Sequence, residues 1–254
     1  MTKSIVKIGL LFIFFLSFVS AASIRNQVLL MQASENIRLD SQEISKNYLY
    51  FYSNPKKIHY KKMAESGLAD LDKQFRLIAK TTKDEDSKDV LAFLDYTKER
   101  IEDVLRDPFD KDNPSLMLDY SEILLEGAES INRNIDYTPS KEEKMMMDMK
   151  DISFLVERMT KYYMAILIGG DGINYAEMLN QSIEEMERDL SLLEEYKYSP
   201  ENLSHLVKLR GNWIVLKKFY LNNKKLKAPN IVLLASLEVR KNARVLEIYH
   251  SKNQ

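Results

Sequence analysis

The chain has 254 residues, 45% hydrophobic and 30% charged, enough to bury a sizeable core and too apolar for a disordered chain. Lysine plus arginine (37) nearly cancels aspartate plus glutamate (38), so no bulk field draws it to nucleic acid or to an anionic membrane. Seven glycines, six prolines and no cysteine describe a helix-forming composition that excludes disulfides, thiol chemistry and cysteine-based metal sites. At the N-terminus Lys3 and Lys7 flank an apolar run over residues 8–19, followed by Ser20, Ala21, Ala22 and Ser23. This order of positive, apolar and small residues is that of a secretory signal peptide over residues 1–22, with cleavage after Ala21 or Ala22 and a periplasmic or secreted product. An uncleaved N-terminal membrane anchor is the competing reading, because the run extends to about 18 residues, near the lower limit for a span.

Helical spacing continues over residues 28–53, through Val28, Leu29, Met31, Ile37, Ile44, Tyr48 and Phe51, and Asn54-Pro55 ends it. Residues 57–80 draw one apolar stripe through Ile58, Tyr60, Met63, Gly67, Leu68, Leu71, Phe75 and Ile78. A third helix carries Leu91, Leu94, Ile101 and Val104; after a loop at Asp107-Pro108, Ser115 is expected to cap a fourth that runs through Ile131. Four helices of about this length with short connections suit an antiparallel bundle.

The second half restates the first. Ser140 and Glu143 form a candidate capping box, and pairing residue n with n+115 sets Lys46 on Lys161, Tyr48 on Tyr163, Tyr60 on Tyr175 and Met63 on Met178. The breaker Asn54-Pro55 falls on Gly169-Gly170, and the third helices pair at an offset of 112, with Leu94 on Leu206, Ile101 on Trp213 and Val104 on Leu216. The expected fold is therefore all-α: a tandem duplicated antiparallel four-helix bundle of about eight helices, divided as a signal peptide (1–22), a first unit (23–137) and a second (138–254).

The chemistry is sparse. His59, His205 and His250 lie far apart and read as surface or helix-end residues. Asp107, Asp110, Asp112 and Asn113 lack the glycine and terminal glutamate of an EF-hand and read as a solvated loop. The Met145-Met146-Met147 run suits an adaptable core or interface, with copper binding as a lesser reading. Trp213 is expected in the core. No nucleophile, base and oxyanion set assembles, so the expectation is a non-enzyme without cofactor or metal.

The segment Ile37-Arg38-Leu39-Asp40-Ser41-Gln42-Glu43-Ile44-Ser45-Lys46-Asn47-Tyr48-Leu49 resembles the Q-R-M-L-S-Q-R-I-A-K-x-Y-L helix of the type IV pili methyl-accepting chemotaxis transducer N-terminal domain family, which is related to the periplasmic domain of nitrate/nitrite sensors. The tryptophan helix, Leu209 through Trp213 to Lys217, agrees with the family pattern. The resemblance implies a sensor-type bundle in which Arg38, with Ser41 and Gln42, binds a small anion such as nitrate or nitrite. It also implies a homodimer that contributes one arginine per subunit and acts through a separate membrane receptor. A guanidinium fork suits a planar oxyanion. Asp40 or Glu43 is expected to pair with Arg38 across one turn. In the second copy Ser153 stands at the matching position. The alternative is a structural or adaptor bundle of the cell envelope with no small-molecule ligand, using an apolar or Met-rich patch around Met145 to Met149 against an envelope protein.

Overall fold

The computed structural model describes residues 2–169 and 175–253, with side chains from residue 25 onward. Among these residues there are eight α-helices and no strand: α1 Thr2–Ser53, α2 His59–Thr81, α3 Glu85–Arg106, α4 Asn113–Arg133, α5 Lys141–Leu167, α6 Tyr175–Glu194, α7 Pro200–Leu221 and α8 Pro229–Lys252. The signal-peptide segment, residues 1–22, lies outside the residues whose side chains are described. No helix among the described residues is long and apolar enough to cross a membrane.

Local chemistry accounts for most boundaries. α1 stops at Asn54-Pro55, where proline excludes the α region for its predecessor. Asp84 accepts a hydrogen bond from the Ser87 amide at 2.8 Å and starts α3. Ser140 and Glu143 make the expected reciprocal capping box of α5, and Ser199 followed by Pro200 opens α7. α5 ends on Gly169, whose φ of 82° is the left-handed conformation in which glycine pays no steric penalty. Of the glycine-rich break beyond it, residues 170–174 lie outside the described set. One boundary differs: α4 begins at Asn113, so Ser115 sits inside the first turn with Pro114 and does not cap. Proline belongs in that turn because its missing N–H has no intrahelical acceptor there anyway.

The wiring repeats. α1 packs on α2 and α4, α3 packs on α4, and α2 touches α3 more lightly; α5 packs on α6 and α8, α7 packs on α8, and α6 meets α7 only sparsely. Matched side chains do matched work: the Tyr48 hydroxyl donates to Pro108 O at 2.8 Å, and the Tyr163 hydroxyl to Leu226 O at 2.7 Å, each anchoring the connection between the third and fourth helices of its unit. At Gly67 an added Cβ would stand 2.5 Å from Ile44 Cγ1, so α1 and α2 approach where only hydrogen fits.

The two units are not separate beads. α1 lies along α5, and one continuous core runs from Ala33 to Leu246 across both. The first helix of each unit is thereby enclosed on nearly all sides: nearly every residue of α5 from Met145 to Ala165 is buried, as is α1 from Ser41 to Phe51 apart from Glu43. The Met-rich surface expected around Met145 to Met149 is accordingly absent, since Met145, Met146 and Met149 are in the core and Met147 is half-buried. The boundary at 137/138 falls in the connection between α4 and α5, but the shared core predicts joint unfolding. Trp213, the single tryptophan, reports the second unit and far-ultraviolet circular dichroism reports both. The two denaturant transitions are expected to coincide, and a separate dichroism step before the fluorescence change would show independent units.

Candidate ligand site and the buried charge network

Arg38 sits where α1, α4 and α5 converge. Its Nη1 lies 2.5 Å from Glu35 Oε2 and 3.0 Å from Asp151 Oδ1, its Nε lies 3.8 Å from Glu129 Oε1, and its guanidinium carbon stands 4.4 Å from the Phe154 ring centroid. Only 16% of the side chain is exposed. Its partners are not the expected ones. Asp40, two residues on, cannot face Arg38 on a helix, whereas Glu35, three residues back, can. Glu43 instead reaches Arg240 on α8.

A cleft of ≈ 280 Å³ opens beside Arg38, with Arg158 and Arg188 set against Glu129, Asp151, Glu185 and Asp189. Three cations face four carboxyls, so the cleft does not carry a positive excess. Burial, with Asp151 and Asp148 nearby, pushes Asp189 up to about 7. Burial also raises Glu35, which Arg38 only partly offsets. A small anion here would compete with carboxylates already on the guanidinium.

Ser41 and Gln42 do not join the cleft. The Ser41 hydroxyl donates to Arg38 O at 2.7 Å, Gln42 Nε2 donates to Ser41 Oγ at 3.0 Å, and both residues are buried. The three residues of the sequence motif therefore share a helix face but not one opening.

Burial together with Glu43 and Asp70 pushes Asp40 up to about 8, with Arg240 and Lys150 partly compensating. A carboxyl whose folded pKa exceeds its unfolded value of 3.8 binds protons preferentially when folded, so its contribution to stability falls as pH rises from about 4 to about 8. Asp40→Asn is expected to flatten that decline. Chemical denaturation at pH 5 and pH 8 checks it, and an unchanged difference between the two would contradict the assignment.

The repeat places charge at the heart of the molecule. Fully buried Lys46 on α1 lies 2.5 Å from Glu157 Oε2 on α5, and Arg240 Nη1 bridges Glu157 Oε1 at 2.8 Å and Glu43 Oε2 at 2.9 Å. On the other flank, fully buried Lys161 on α5 pairs with Glu122 on α4 and donates to Ser121 Oγ at 3.1 Å, while Arg158 reaches Glu122 at 3.5 Å. At the offset of 115, Lys46 matches Lys161 and Glu43 matches Arg158. The polarity of the second pair is reversed between copies: Glu43 meets Arg240 on α8, and Arg158 meets Glu122 on α4. The repeat alone exposed the matched lysines; no sequence signal named their acids, which come from other helices.

His250 stands at a helix end, as expected, but not at the surface. It is fully buried, with Nδ1 2.7 Å from Glu142 Oε2 and Nε2 2.8 Å from the Tyr198 hydroxyl, while the Tyr196 hydroxyl donates to Glu142 Oε1 at 2.9 Å. The group ties the end of α8 to the start of α5. His205, half-buried, meets Asn242 Oδ1 at 2.9 Å, and His59 is exposed as expected.

No family model, curated protein or solved structure matches this chain. The functional reading rests on its own residues.

The third helices differ most between the copies. Their buried positions keep phase at the offset of 112, with Leu94, Thr97, Ile101 and Val104 on Leu206, Leu209, Trp213 and Leu216. Their outer positions do not: Asp95, Glu99, Glu102 and Asp103 of α3 correspond to Val207, Gly211, Ile214 and Val215 of α7. Val207 is 64% exposed, and Leu203, Ile214, Val215 and Leu221 are exposed with it, as are Ile231 and Leu234 on neighbouring α8.

Proposed function

We propose that this protein is an exported helical scaffold that acts by protein contact through the outer face of α7 and its α8 shoulder. The observation that carries the reading is the contrast between copies: the same helix position is carboxylate-rich in α3 and apolar in α7. Phe93 and Tyr96 are exposed on α3 as well, but as side chains set among its carboxylates, whereas α7 and α8 gather Leu203, Val207, Ile214, Val215, Ile231 and Leu234, and such a gathering marks an interaction site.

The reading of the chain as a nitrate or nitrite sensor requires Arg38 to be available to a ligand. Its carboxylate partners, Glu35 and Asp151, weigh against that use and suit a role in holding α1 to α5. Calorimetric titration with nitrate and with nitrite is expected to give no saturable heat. Arg38→Ala is expected to lose about 1–3 kcal/mol of stability, because Glu35 is left buried without its counter-charge. Saturable heat in the wild type that vanishes in Arg38→Ala would restore the sensor reading and overturn the scaffold.

A further inference from the structure

We propose that the partner on this face is a second copy of the chain, with α7 packed antiparallel on α7 of the other subunit about a twofold axis at Gly211. The proposal rests on the protein-contact reading and names its occupant. Gly211 stands in the middle of a 22-residue helix and is exposed, and a Cβ added to it would meet nothing within 4 Å. Gly67 and Gly127, by contrast, are filled by Ile44 and Leu94. Glycine in a helix interior costs about 0.8–1 kcal/mol relative to alanine, and nothing within one subunit requires it at 211. A flat spot that lets two helix backbones approach is a use for it that needs another chain.

The residues around Gly211 are arranged for self-pairing. Val207 and Val215 lie four positions to either side, so an antiparallel pair centred on 211 sets each against the other's counterpart twice over. The same operation lays the aliphatic stem of Lys208 on Ile214 of the other subunit. Charge selects the antiparallel sense. Glu195 and Glu201, with Lys197 between them, stand just before and in the first turn of α7, a weakly acidic end, and Lys218, Lys224, Lys225 and Lys227 stand at and beyond its other end. The twofold brings each acidic end to a basic one, whereas a parallel pair would stack like charges. An interfacial membrane helix would instead present bulky aromatic side chains, and the tryptophan of α7 points inward.

Sedimentation velocity over micromolar to hundred-micromolar concentrations is expected to show a dimer. Gly211→Arg should weaken it by at least tenfold with helix content and melting temperature retained, because the site is open in the subunit. The chain has no cysteine, so single-cysteine variants test the register directly. Gly211→Cys is expected to form an intermolecular disulfide on oxidation, Val207→Cys alone is not, and a mixture of Val207→Cys with Val215→Cys is. A monomeric wild type at 100 μM, a dimer indifferent to Gly211→Arg, or flotation of a monomer with anionic phospholipid vesicles would each overturn the self-pairing. The anion titration decides the underlying contact reading separately, so the two failures are distinguishable.

Discussion

Glu157→Leu is expected to cost about 3–5 kcal/mol of unfolding free energy, the range for removing one partner from a buried ion pair. Glu157 is fully buried between Lys46 on α1 and Arg240 on α8. Leucine fills much of the space but leaves Lys46, itself fully enclosed, with no counter-charge at the seam between the two units. The loss should carry a pH signature. Burial alone would push the Glu157 carboxyl up, but Lys46 and Arg240 outweigh it and hold the group below its ordinary value of 4.5. The stabilisation is therefore fully present above pH 4.5 and is lost as pH falls through the lower folded value. Urea denaturation of both proteins from pH 3 to pH 7 should give a difference that shrinks toward the acid end. A loss below about 1 kcal/mol at pH 7 would mean that the network is solvated and the seam not dry.

Trp213→Ala is the second large effect, also about 3–5 kcal/mol, or a fall in melting temperature on the order of 10 °C for a chain of this size. The indole is fully buried and its Nε1 donates to Glu187 Oε1 at 2.6 Å. That bond crosses from α7 to α6, two helices that otherwise barely touch, and Lys217 Nζ reaches the same oxygen at 2.8 Å. Truncation thus opens a cavity and removes the buried indole donor between those helices, leaving the ion pairs of Lys217 with Glu187 and of Arg210 with Glu187 and Glu194. Trp213→Phe separates the two contributions: it keeps most of the volume and removes the donor, with an expected cost of about 1 kcal/mol beyond the volume change. If alanine and phenylalanine variants melt together, the hydrogen bond and not the packing dominates, contrary to this account.

Much of this architecture was legible along the chain. The box of Ser140 and Glu143, the breaker at Asn54-Pro55 and the glycine at 169 act within a few residues, so their chemistry reads locally. The duplication was legible through Tyr48 and Tyr163, which then prove to make the same bond to the same loop. The candidate site was less so. Arg38 was expected to pair with Asp40 or Glu43, but those two point elsewhere; Glu35, one turn back, takes the guanidinium, and Asp151 and Glu129 arrive from other helices. His250 read as a surface or helix-end residue, and it does end α8, but nothing in sequence announces that Glu142, 108 residues earlier, closes over it.

The apolar stripe of a helix implies one buried face and one wet face, and for α2, α3 and α6 that inference suffices. For α1 and α5 it does not, because each unit lays its first helix against that of the other and only a narrow strip, at Arg38, Asp151 and Arg158, remains for water. The sequence alone determined the helices, most of their ends and their repetition, since these depend on propensity, capping and period. Only the tertiary structure decided that the two units share a core, because that depends on the packing of α1 on α5. This packing puts Lys46, Glu157 and Lys161 inside, where each charge needs a counter-charge from a distant helix.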